Sequence, residues 1–302
     1  MAKKQPPLSE AEELESFLKE LEGEVIKEIA GWESGFPGLS RSLNGILPGL
    51  YLLIGPPSCG KSAFAKQLCD QVATQNSVPA IFFTFAESKK DLRIRTLARL
   101  SGLENSEIRK GSAHLLHWYG VPKGRITDPE QLSPSWEKLK RQAEVAKGWL
   151  DLLYIVECSE RTDFGSVKEQ ICQVKERRGA QGIFVVIDDS QRLGPVETPF
   201  DTRLLYVVER FQGMAVDLQA AIVATWPDLR PHGMPPQEWG ERVPGADVIL
   251  ALEKDVERSK NLTEPNRAMT LYIVKNRGGE RSTIAFDFSP AFSKWTEASP
   301  TP

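Results

Sequence analysis

One short segment of the chain has the spacing of a phosphate-binding loop. Gly55-Pro56-Pro57-Ser58-Cys59-Gly60-Lys61-Ser62 fits the pattern G-x-x-x-x-G-K-[ST] and stands between an apolar run and a helical pattern. Glycines allow a tight backbone arc whose N–H groups point at phosphate oxygens, and the helix adds the partial positive charge of its N-terminus. We therefore expect this loop to bind ATP, with Lys61 on the β- and γ-phosphates and the Ser62 hydroxyl on Mg²⁺.

Two carboxylates follow apolar runs that have the character of strands. Asp188 comes directly after residues 183–187 and is the predicted second holder of the metal, whereas Asp189 is either part of that site or a turn cap. Glu87 follows residues 80–85 and is the candidate for polarising the attacking water, with a helix cap beside Ser88 as its alternative. Ligands of open α/β sheets bind at the carboxyl ends of strands, so these acids are expected at one edge.

Short apolar runs alternate with helical patterns along most of the chain, and this alternation predicts a parallel sheet covered by helices. Strands are expected at residues 50–54, 80–85, 153–156, 183–187, 221–225, 248–252, 269–274 and 282–288, and helices at 63–74, 90–100, 164–178 and 203–218. The last two strands flank Gly278-Gly279, which predicts an antiparallel hairpin. The predicted fold class is α/β, a twisted and mostly parallel sheet with helices on both faces and a C-terminal antiparallel hairpin.

Residues 9–30 carry apolar side chains at helical spacing, with Ser9 as an N-cap and acidic residues in the first turn. This pattern predicts an amphipathic helix that packs either on its own domain or, as a docking helix, on a neighbouring subunit. The predicted division is residues 1–32 as tail and docking helix, and residues 33–302 as one ATPase domain.

Composition narrows the class of protein. The chain has 40% hydrophobic residues and a net charge of −3, which argues against a basic protein that coats duplex DNA. No apolar run approaches the roughly 20 residues that span a bilayer, and the N-terminus has no apolar core of a secretory signal. The four cysteines have no C-x-x-C spacing and are expected to be free thiols. We expect a cytoplasmic protein without membrane contact.

Several stretches in the same order resemble the C-terminal ATPase domain of DnaB-type replicative helicases, within the wider RecA-like group of P-loop proteins. The phosphate loop and the segment Phe82-Phe83-Thr84-Phe85-Ala86-Glu87-Ser88 are similar to the family's first two motifs. Ile187-Asp188-Asp189-Ser190-Gln191 resembles its Asp-Tyr-Leu-Gln, and Ile273-Val274-Lys275-Asn276-Arg277-Gly278-Gly279 resembles its Lys-x-Arg hairpin. The resemblance covers roughly residues 33–297 and does not include the family's N-terminal primase-binding domain.

The resemblance implies a RecA-like fold, ATP with Mg²⁺, and a homo-oligomer in the form of a hexameric ring with nucleotide at each subunit boundary. Lys275 and Arg277 match the positions that reach the neighbour's γ-phosphate, where a guanidinium stabilises the charge of the transition state. For single-stranded DNA the family uses loops that face the channel. The arginines there are Arg192, Arg203, Arg230 and Arg242, each of which is otherwise ordinary surface charge.

Two positions depart from the family pattern. Where the family has Ser-Gln, this chain has Ala224-Thr225-Trp226, so the glutamine that couples phosphate to the DNA loops is missing. The DnaB-type pattern also places Ala86 at the catalytic glutamate, whereas the RecA-like pattern places Glu87 there, and we favour Glu87.

Two functions follow from these residues. The first is an ATP-driven DNA helicase for replication, which translocates on single-stranded DNA and unwinds duplex. The second is a RecA-like regulatory ATPase that changes shape without unwinding, favoured by the acidic balance and by Trp226. The polarity of movement, the loader or primase partner, and the replicon served are not encoded in any motif.

Overall fold

The computed structural model describes residues 14, 18, 19, 28–110, 134–228, 234–238 and 243–298. In chain order its α-helices are α1 (Pro37–Leu43), α2 (Lys61–Asn76), α3 (Lys89–Ser101), α4 (Asn105–Lys110), α5 (Pro134–Leu150), α6 (Phe164–Arg178), α7 (Phe200–Leu218) and α8 (Val256–Ser259). Short 3-10 helices occupy Ser190–Leu193, Pro236–Glu238 and Pro290–Phe292.

Nine strands of the described part of the chain form one sheet. They are β1 (Gly49–Gly55), β2 (Ala80–Thr84), β3 (Leu153–Glu157), β4 (Ile183–Asp188), β5 (Ala220–Pro227), β6 (Val248–Lys254), β7 (Arg267–Asn276), β8 (Ser282–Ser289) and β9 (Lys294–Glu297). Their spatial order is β3-β2-β4-β5-β1-β6-β7-β8-β9. Neighbours from β3 to β6 are parallel, and β6 to β9 are antiparallel.

The central strands are apolar on both faces because helices cover both. Every residue of β1 and β4 is buried, as expected for parallel strands inside an α/β sheet. On one face, α2 contributes Phe64 and Leu68 to a core shared with Phe286 and Trp295. On the other face, α6 and α7 contribute Ile171 and Phe211. The carboxyl ends of the parallel strands therefore meet at one edge of a sheet that is covered by helices on both faces.

Local signals fix where several elements begin and end. Asp163 and Ser166 form a capping box at the start of α6, in which Ser166 N donates to Asp163 Oδ1 over 2.7 Å. In β9, the Glu297 carboxylate accepts hydrogen bonds from the backbone of α1, from Gly38 N over 2.8 Å and from Leu39 N over 2.9 Å. An acid at these free N–H groups stabilises the first turn of α1, so β9 and α1 are tied together.

The predicted fold class is confirmed, and each predicted strand is present with ends shifted by three residues at most. Helices α1, α4, α5 and α8 and strand β9 were not predicted. Helix α1 lies in a turn-rich segment, α4 and α8 are short, and β9 is stabilised by its pairing with β8. The predicted helix at residues 9–30 lies mostly outside the described residues, and the division at residue 32 stays a prediction. No helix among the described residues is long and apolar enough to cross a membrane. All four cysteines are free thiols, as predicted.

Candidate functional site

The predicted phosphate loop connects β1 to α2 in a backbone form that requires glycine. Gly60 has φ of 100°, and a Cβ atom there would lie 2.8 Å from both Phe288 and Trp295. At Gly55 a Cβ atom would lie 2.9 Å from Cys59 Sγ and 3.0 Å from the Leu252 carbonyl oxygen. Contacts below about 3 Å are not tolerated, so close packing selects glycine at both positions, and the positive φ selects it at Gly60 as well.

Lys61 is the first residue of α2, and its side chain folds back over the loop. Its Nζ donates to the carbonyl oxygens of Gly55 over 2.8 Å and Pro56 over 3.0 Å. The ammonium therefore lies inside the backbone arc at the helix N-terminus, where a phosphate group is attracted by both the charge and the N–H groups.

Cys59 is buried in the same loop, and burial raises the pKa of its thiol despite the nearby Lys61 ammonium. A protonated buried thiol packs as a small apolar side chain. Its role in this structure is to fill the space beneath the loop.

Asp188 ends β4 and is fully buried. Its Oδ1 accepts from Thr225 Oγ1 over 2.8 Å, while its buried Oδ2 has no hydrogen-bond partner in the described structure. Burial raises the pKa of Asp188 to about 6, although the Thr225 hydrogen bond and the proximity of the Ser62 hydroxyl lower it; the charges of Asp189 and Glu87 raise it further. The unpartnered Asp188 Oδ2 next to Ser62 is therefore a position that a cation would stabilise.

The donor set fits Mg²⁺. A hydroxyl and a carboxylate oxygen are the hard ligands this cation prefers, and it keeps water for its other positions. The orphaned Asp188 Oδ2 next to Ser62 supplies the acidic half of such a set. The neighbouring Asp189 has φ of 58° and lines the cavity above the loop, and its backbone N–H donates to Thr225 Oγ1 over 2.8 Å. One hydroxyl thus aligns both acids.

Glu87 lies just beyond the end of β2, the strand that pairs with β4 and so lies next to Asp188. Its backbone is fixed by Thr84. Thr84 Oγ1 accepts from Glu87 N over 2.9 Å and donates to the Glu87 carbonyl oxygen over 3.0 Å. The Glu87 carboxylate is bound by Arg95, with Nε on Oε2 at 2.7 Å and Nη2 on Oε1 at 2.9 Å. Ser88, the residue predicted as an alternative cap partner, is itself the N-cap of α3.

A cavity of about 570 Å³ opens above the loop and brings most of these groups together. Its lining includes Lys61, Ser62, Glu87 and Asp189 from the predicted set, and Arg95, Asn105, Arg109, Arg267, Phe288 and Pro290 from outside it. The cavity thus combines the loop with four cationic side chains. A lining with this positive charge attracts phosphate groups.

The sequence argument did not assign three of the cavity's cations, Arg95, Arg109 and Arg267, to the site. Arg267 starts β7, and its Nη1 donates to the Ser58 carbonyl oxygen over 2.8 Å. Ser58 and Arg267 are 209 residues apart, so no local pattern joins them. Arg95 lies on α3 directly after the Glu87 segment, and its charge at a buried helix face was the available signal.

Lys275 and Arg277 lie at the opposite edge of the sheet from the loop of their own subunit. Strand β7 runs antiparallel to β6, and its end is paired with the start of β6. Arg277 Nη1 contacts Asp247 Oδ1 at 3.0 Å, and Asp247 Oδ2 accepts from Leu50 N at the start of β1. Five residues of extended strand separate Leu50 from Gly55, or about 17 Å. That span exceeds the reach of an arginine side chain.

Arg277 and Lys275 differ in exposure and in the hydrogen bonds of their side chains. Arg277 is 75% exposed, whereas Lys275 Nζ donates to the carbonyl oxygens of Val243 and Pro244, at 3.3 Å and 2.7 Å. Partial burial lowers the pKa of Lys275, an effect that Asp247 opposes and Arg277 reinforces. The guanidinium is therefore presented to the surface, and the ammonium is tied to the loop before β6.

The predicted DNA-contacting arginines fall into three situations. Arg192 is exposed on the 3-10 helix after β4. Arg203 packs against Gly194 and donates to the carbonyl oxygens of Val196 and Thr198, so it holds its own loop together. Arg230 and Arg242 lie outside the described residues.

The departure at the end of β5 has a structural consequence. Thr225 keeps a hydroxyl between Asp188 and Asp189, whereas Trp226 is fully buried with its ring centroid 5.1 Å from that of Phe200. Phe200 is the first residue of α7, directly after the loop of residues 194–199. An indole packed in this way fills the position with apolar contact in place of a hydrogen-bonding amide.

A mostly parallel sheet of this order, with a G-x-x-x-x-G-K-[ST] loop at the carboxyl end of β1 and an acid at the end of β4, defines the RecA-like class of P-loop nucleotide triphosphatases. The family described as "DnaB-like helicase C terminal domain" matches residues 31–297, and the chain belongs to that family. Membership in this family implies the use of a nucleotide.

Curated relatives and solved structures agree with this assignment. The chain is 23% identical to the replicative DNA helicase DnaB of Leifsonia xyli subsp. xyli, over 97% of this chain and 62% of that protein. It is 26% identical to the one of Treponema pallidum, over 90% of this chain and 57% of that protein. The chain thus spans little more than half the length of these relatives.

Two solved structures share the fold. One, described as an ATPase domain, has a TM-score of 0.77 and 20% identity, over 97% of this chain and all of that one (100%). The other, a DnaB-like replicative helicase described with its interactions with primase, has a TM-score of 0.74 and 20% identity, over 96% of this chain and 68% of that one.

Proposed function

We propose that this chain is the motor domain of a ring-shaped DNA helicase, which hydrolyses ATP with Mg²⁺ and moves on single-stranded DNA. The observation that carries the proposal is the position of Arg277, exposed at the edge of the sheet opposite its own phosphate loop. A nucleotide site that needs this guanidinium is complete only when a second subunit supplies it. Head-to-tail contacts of that kind close into a ring.

The phosphate loop and Lys61 bind the triphosphate in this proposal. Lys61 exchanges the carbonyl oxygens of Gly55 and Pro56 for the β- and γ-phosphate oxygens, which carry full negative charge. Ser62 and Asp188 would hold Mg²⁺, whose positive charge would offset the negative charge of the phosphates. Thr225 orients Asp188 through its hydrogen bond to Oδ1.

Hydrolysis requires a group that orients water and a group that stabilises the transition state. Glu87 and Asp189 are the carboxylates in the lining of the described cavity, and we assign Glu87 to accept hydrogen bonds from the attacking water. The neighbour's Arg277 counterpart then stabilises charge spread over the equatorial phosphate oxygens, with Lys275 beside it. A planar fork spans two oxygens, which a lysine in its place does not.

Single-stranded DNA is the proposed track, because the relatives are replicative DNA helicases. Of the proposed contacts, Arg192 is exposed and free to meet a backbone phosphate, whereas Arg203 stabilises the loop before α7. The loop that carries Arg192 follows Asp188 directly, which gives the nucleotide site a short path to the DNA.

Stimulation of hydrolysis by DNA tests this proposal. We expect the ATPase rate to rise with single-stranded DNA at low salt, and the apparent DNA affinity to fall on a log–log plot with a slope of about −0.7 per contacted phosphate. Arg192→Ala reduces that slope without changing the DNA-free rate. Strand displacement with ATP should follow the same salt dependence.

The alternative is a RecA-like regulatory ATPase without unwinding activity, and the family membership does not favour it. Besides the acidic balance of the chain, its supporting feature is Trp226, buried where an amide is expected to relay phosphate contacts to the DNA loops. A hydrolysis rate that ignores DNA at low salt, together with no strand displacement, would replace the motor by this regulatory ATPase.

A further inference from the structure

The Glu87 carboxylate is bound by a guanidinium inside the nucleotide cavity. Arg95 donates from Nε to Oε2 over 2.7 Å and from Nη2 to Oε1 over 2.9 Å, so one planar fork covers both oxygens. The Arg95 side chain is 27% exposed and that of Glu87 is 18% exposed. A bidentate pair with this shielding is stronger and better oriented than a solvated contact between point charges.

This pairing opposes the role proposed for Glu87. A carboxylate that polarises water needs an uncommitted lone pair aimed at the water and a negative charge that is not neutralised. An ionised carboxylate has about four lone-pair positions, and the fork uses two of them. The guanidinium at hydrogen-bond distance also cancels much of the charge that would draw a proton from water.

The Arg95 side chain is held from its outer side as well. Its Nη1 donates to Ser293 Oγ over 3.0 Å, and the same oxygen accepts from Asn105 Nδ2 over 2.9 Å. Ser293 is fully buried, and its carbonyl oxygen accepts from Arg99 Nη1 over 3.3 Å. The turn that contains Ser293 lies between Phe288 and Trp295, which close over Gly60. Arg95 is thus fixed to a turn that packs on the phosphate loop.

Only the side chain of Glu87 is free to rearrange. Its backbone N–H and carbonyl are both bound to Thr84 Oγ1, at 2.9 Å and 3.0 Å. Glu87, Arg95, Lys61 and Ser62 line one cavity, so rotation about the Glu87 side-chain bonds would carry the carboxylate from Arg95 toward the space above Lys61 and Ser62. The two positions exclude one another because each uses the same carboxylate.

We propose that Arg95 is a positioning residue that holds Glu87 in a resting pair and so keeps the basal rate of hydrolysis low. The inference rests on the proposed function, because it requires Glu87 to act on the attacking water. Glu87 acts on the attacking water only when its pair with Arg95 opens. Because Arg95 is hydrogen-bonded to Ser293, movement of the phosphate loop or of the turn that contains Ser293 controls this opening.

Steady-state kinetics of the 302-residue chain without DNA test this inference. Arg95→Gln is expected to raise kcat about fivefold, equivalent to about 1 kcal/mol of activation free energy, with KM for ATP changed by less than about twofold. Arg95→Lys keeps the positive charge but not the bidentate geometry, so its kcat should lie between that of the wild type and that of Arg95→Gln. Arg93→Gln is the matched control, because Arg93 is exposed on the same helix and its loss removes the same charge.

Glu87→Gln identifies the route of the gain. This variant and the double variant with Arg95→Gln should both hydrolyse ATP at background rate. A double variant as fast as Arg95→Gln alone would overturn the inference, because the gain would not pass through Glu87. An Arg95→Gln rate as low as that of Glu87→Gln would also overturn it, and so would a raised KM at unchanged kcat, which assigns Arg95 to phosphate binding.

The proposed function fails separately from this inference. If the wild-type chain does not hydrolyse ATP in the presence of Mg²⁺, the proposed function is wrong and the inference falls with it. If the wild type hydrolyses ATP and Glu87→Gln does not, yet Arg95→Gln brings no gain, only the inference is wrong. Thermal unfolding and nucleotide binding of each variant establish that the compared proteins are folded.

Discussion

Replacing the buried carboxylate at the end of β4 should make the chain more stable and less active. Burial raises the pKa of Asp188 from 3.8 to about 6, so the ionised side chain is disfavoured in the folded state. A difference of this size corresponds to about 3 kcal/mol, because each pH unit is about 1.4 kcal/mol. We expect Asp188→Asn, without Mg²⁺ or nucleotide, to have a higher free energy of unfolding at neutral pH.

The sign sets the pH window. A raised folded pKa means that Asp188 contributes stability which is complete below about pH 4 and is lost as the pH rises through about 6. The wild type therefore loses about 1 kcal/mol relative to Asp188→Asn between pH 5 and pH 7.5. Asn also leaves an amide donor to be satisfied, which lowers the advantage equally at both values. The comparison between pH values removes that constant cost.

Urea unfolding followed by tryptophan fluorescence measures this difference, since the chain contains seven tryptophans as probes. Asp189→Asn is the matched control, because Asp189 lines the cavity and is only partly buried, and an Asn tolerates its left-handed backbone. Adding ATP with Mg²⁺ should stabilise the wild type and leave Asp188→Asn unchanged. A stability difference between wild type and Asp188→Asn that is the same at pH 5 and pH 7.5 would refute the reasoning.

Two further outcomes concern the phosphate loop and the subunit boundary. Gly60→Ala should lower the free energy of unfolding in urea by about 2 kcal/mol or more, because the added Cβ meets Phe288 and Trp295 at 2.8 Å. Gly148→Ala in α5, where no atom lies within 4 Å, should raise it by about 0.5 kcal/mol. Equal effects of the two substitutions would contradict the packing argument. Lys61→Ala and Arg277→Ala should each abolish hydrolysis, and mixing them with subunit exchange should create intact sites at about a quarter of the boundaries. No recovery in mixed rings would mean that Arg277 does not act across the boundary.

The sequence alone determined the fold class and the phosphate loop. The loop residues from Gly55 to Ser62 are contiguous, and their spacing is set by the geometry of one backbone arc around phosphate, so no tertiary information is needed. The parallel strands were readable because burial on both faces makes each of them a continuous apolar run, such as Ile183-Phe184-Val185-Val186-Ile187. The hairpin was readable from its Gly-Gly turn.

Only the tertiary structure decided which charges meet. Arg95 pairs with Glu87, Arg267 reaches Ser58, and Glu297 binds the first turn of α1, and in each case the partners come from different elements. The side of the sheet on which Arg277 stands was equally hidden, because it depends on β7 running antiparallel to β6. The pKa of Asp188 follows from complete burial between β2 and β5. Local sequence encodes backbone form and apolar period, whereas electrostatic partners are set by distances through space that exist only after the chain has folded.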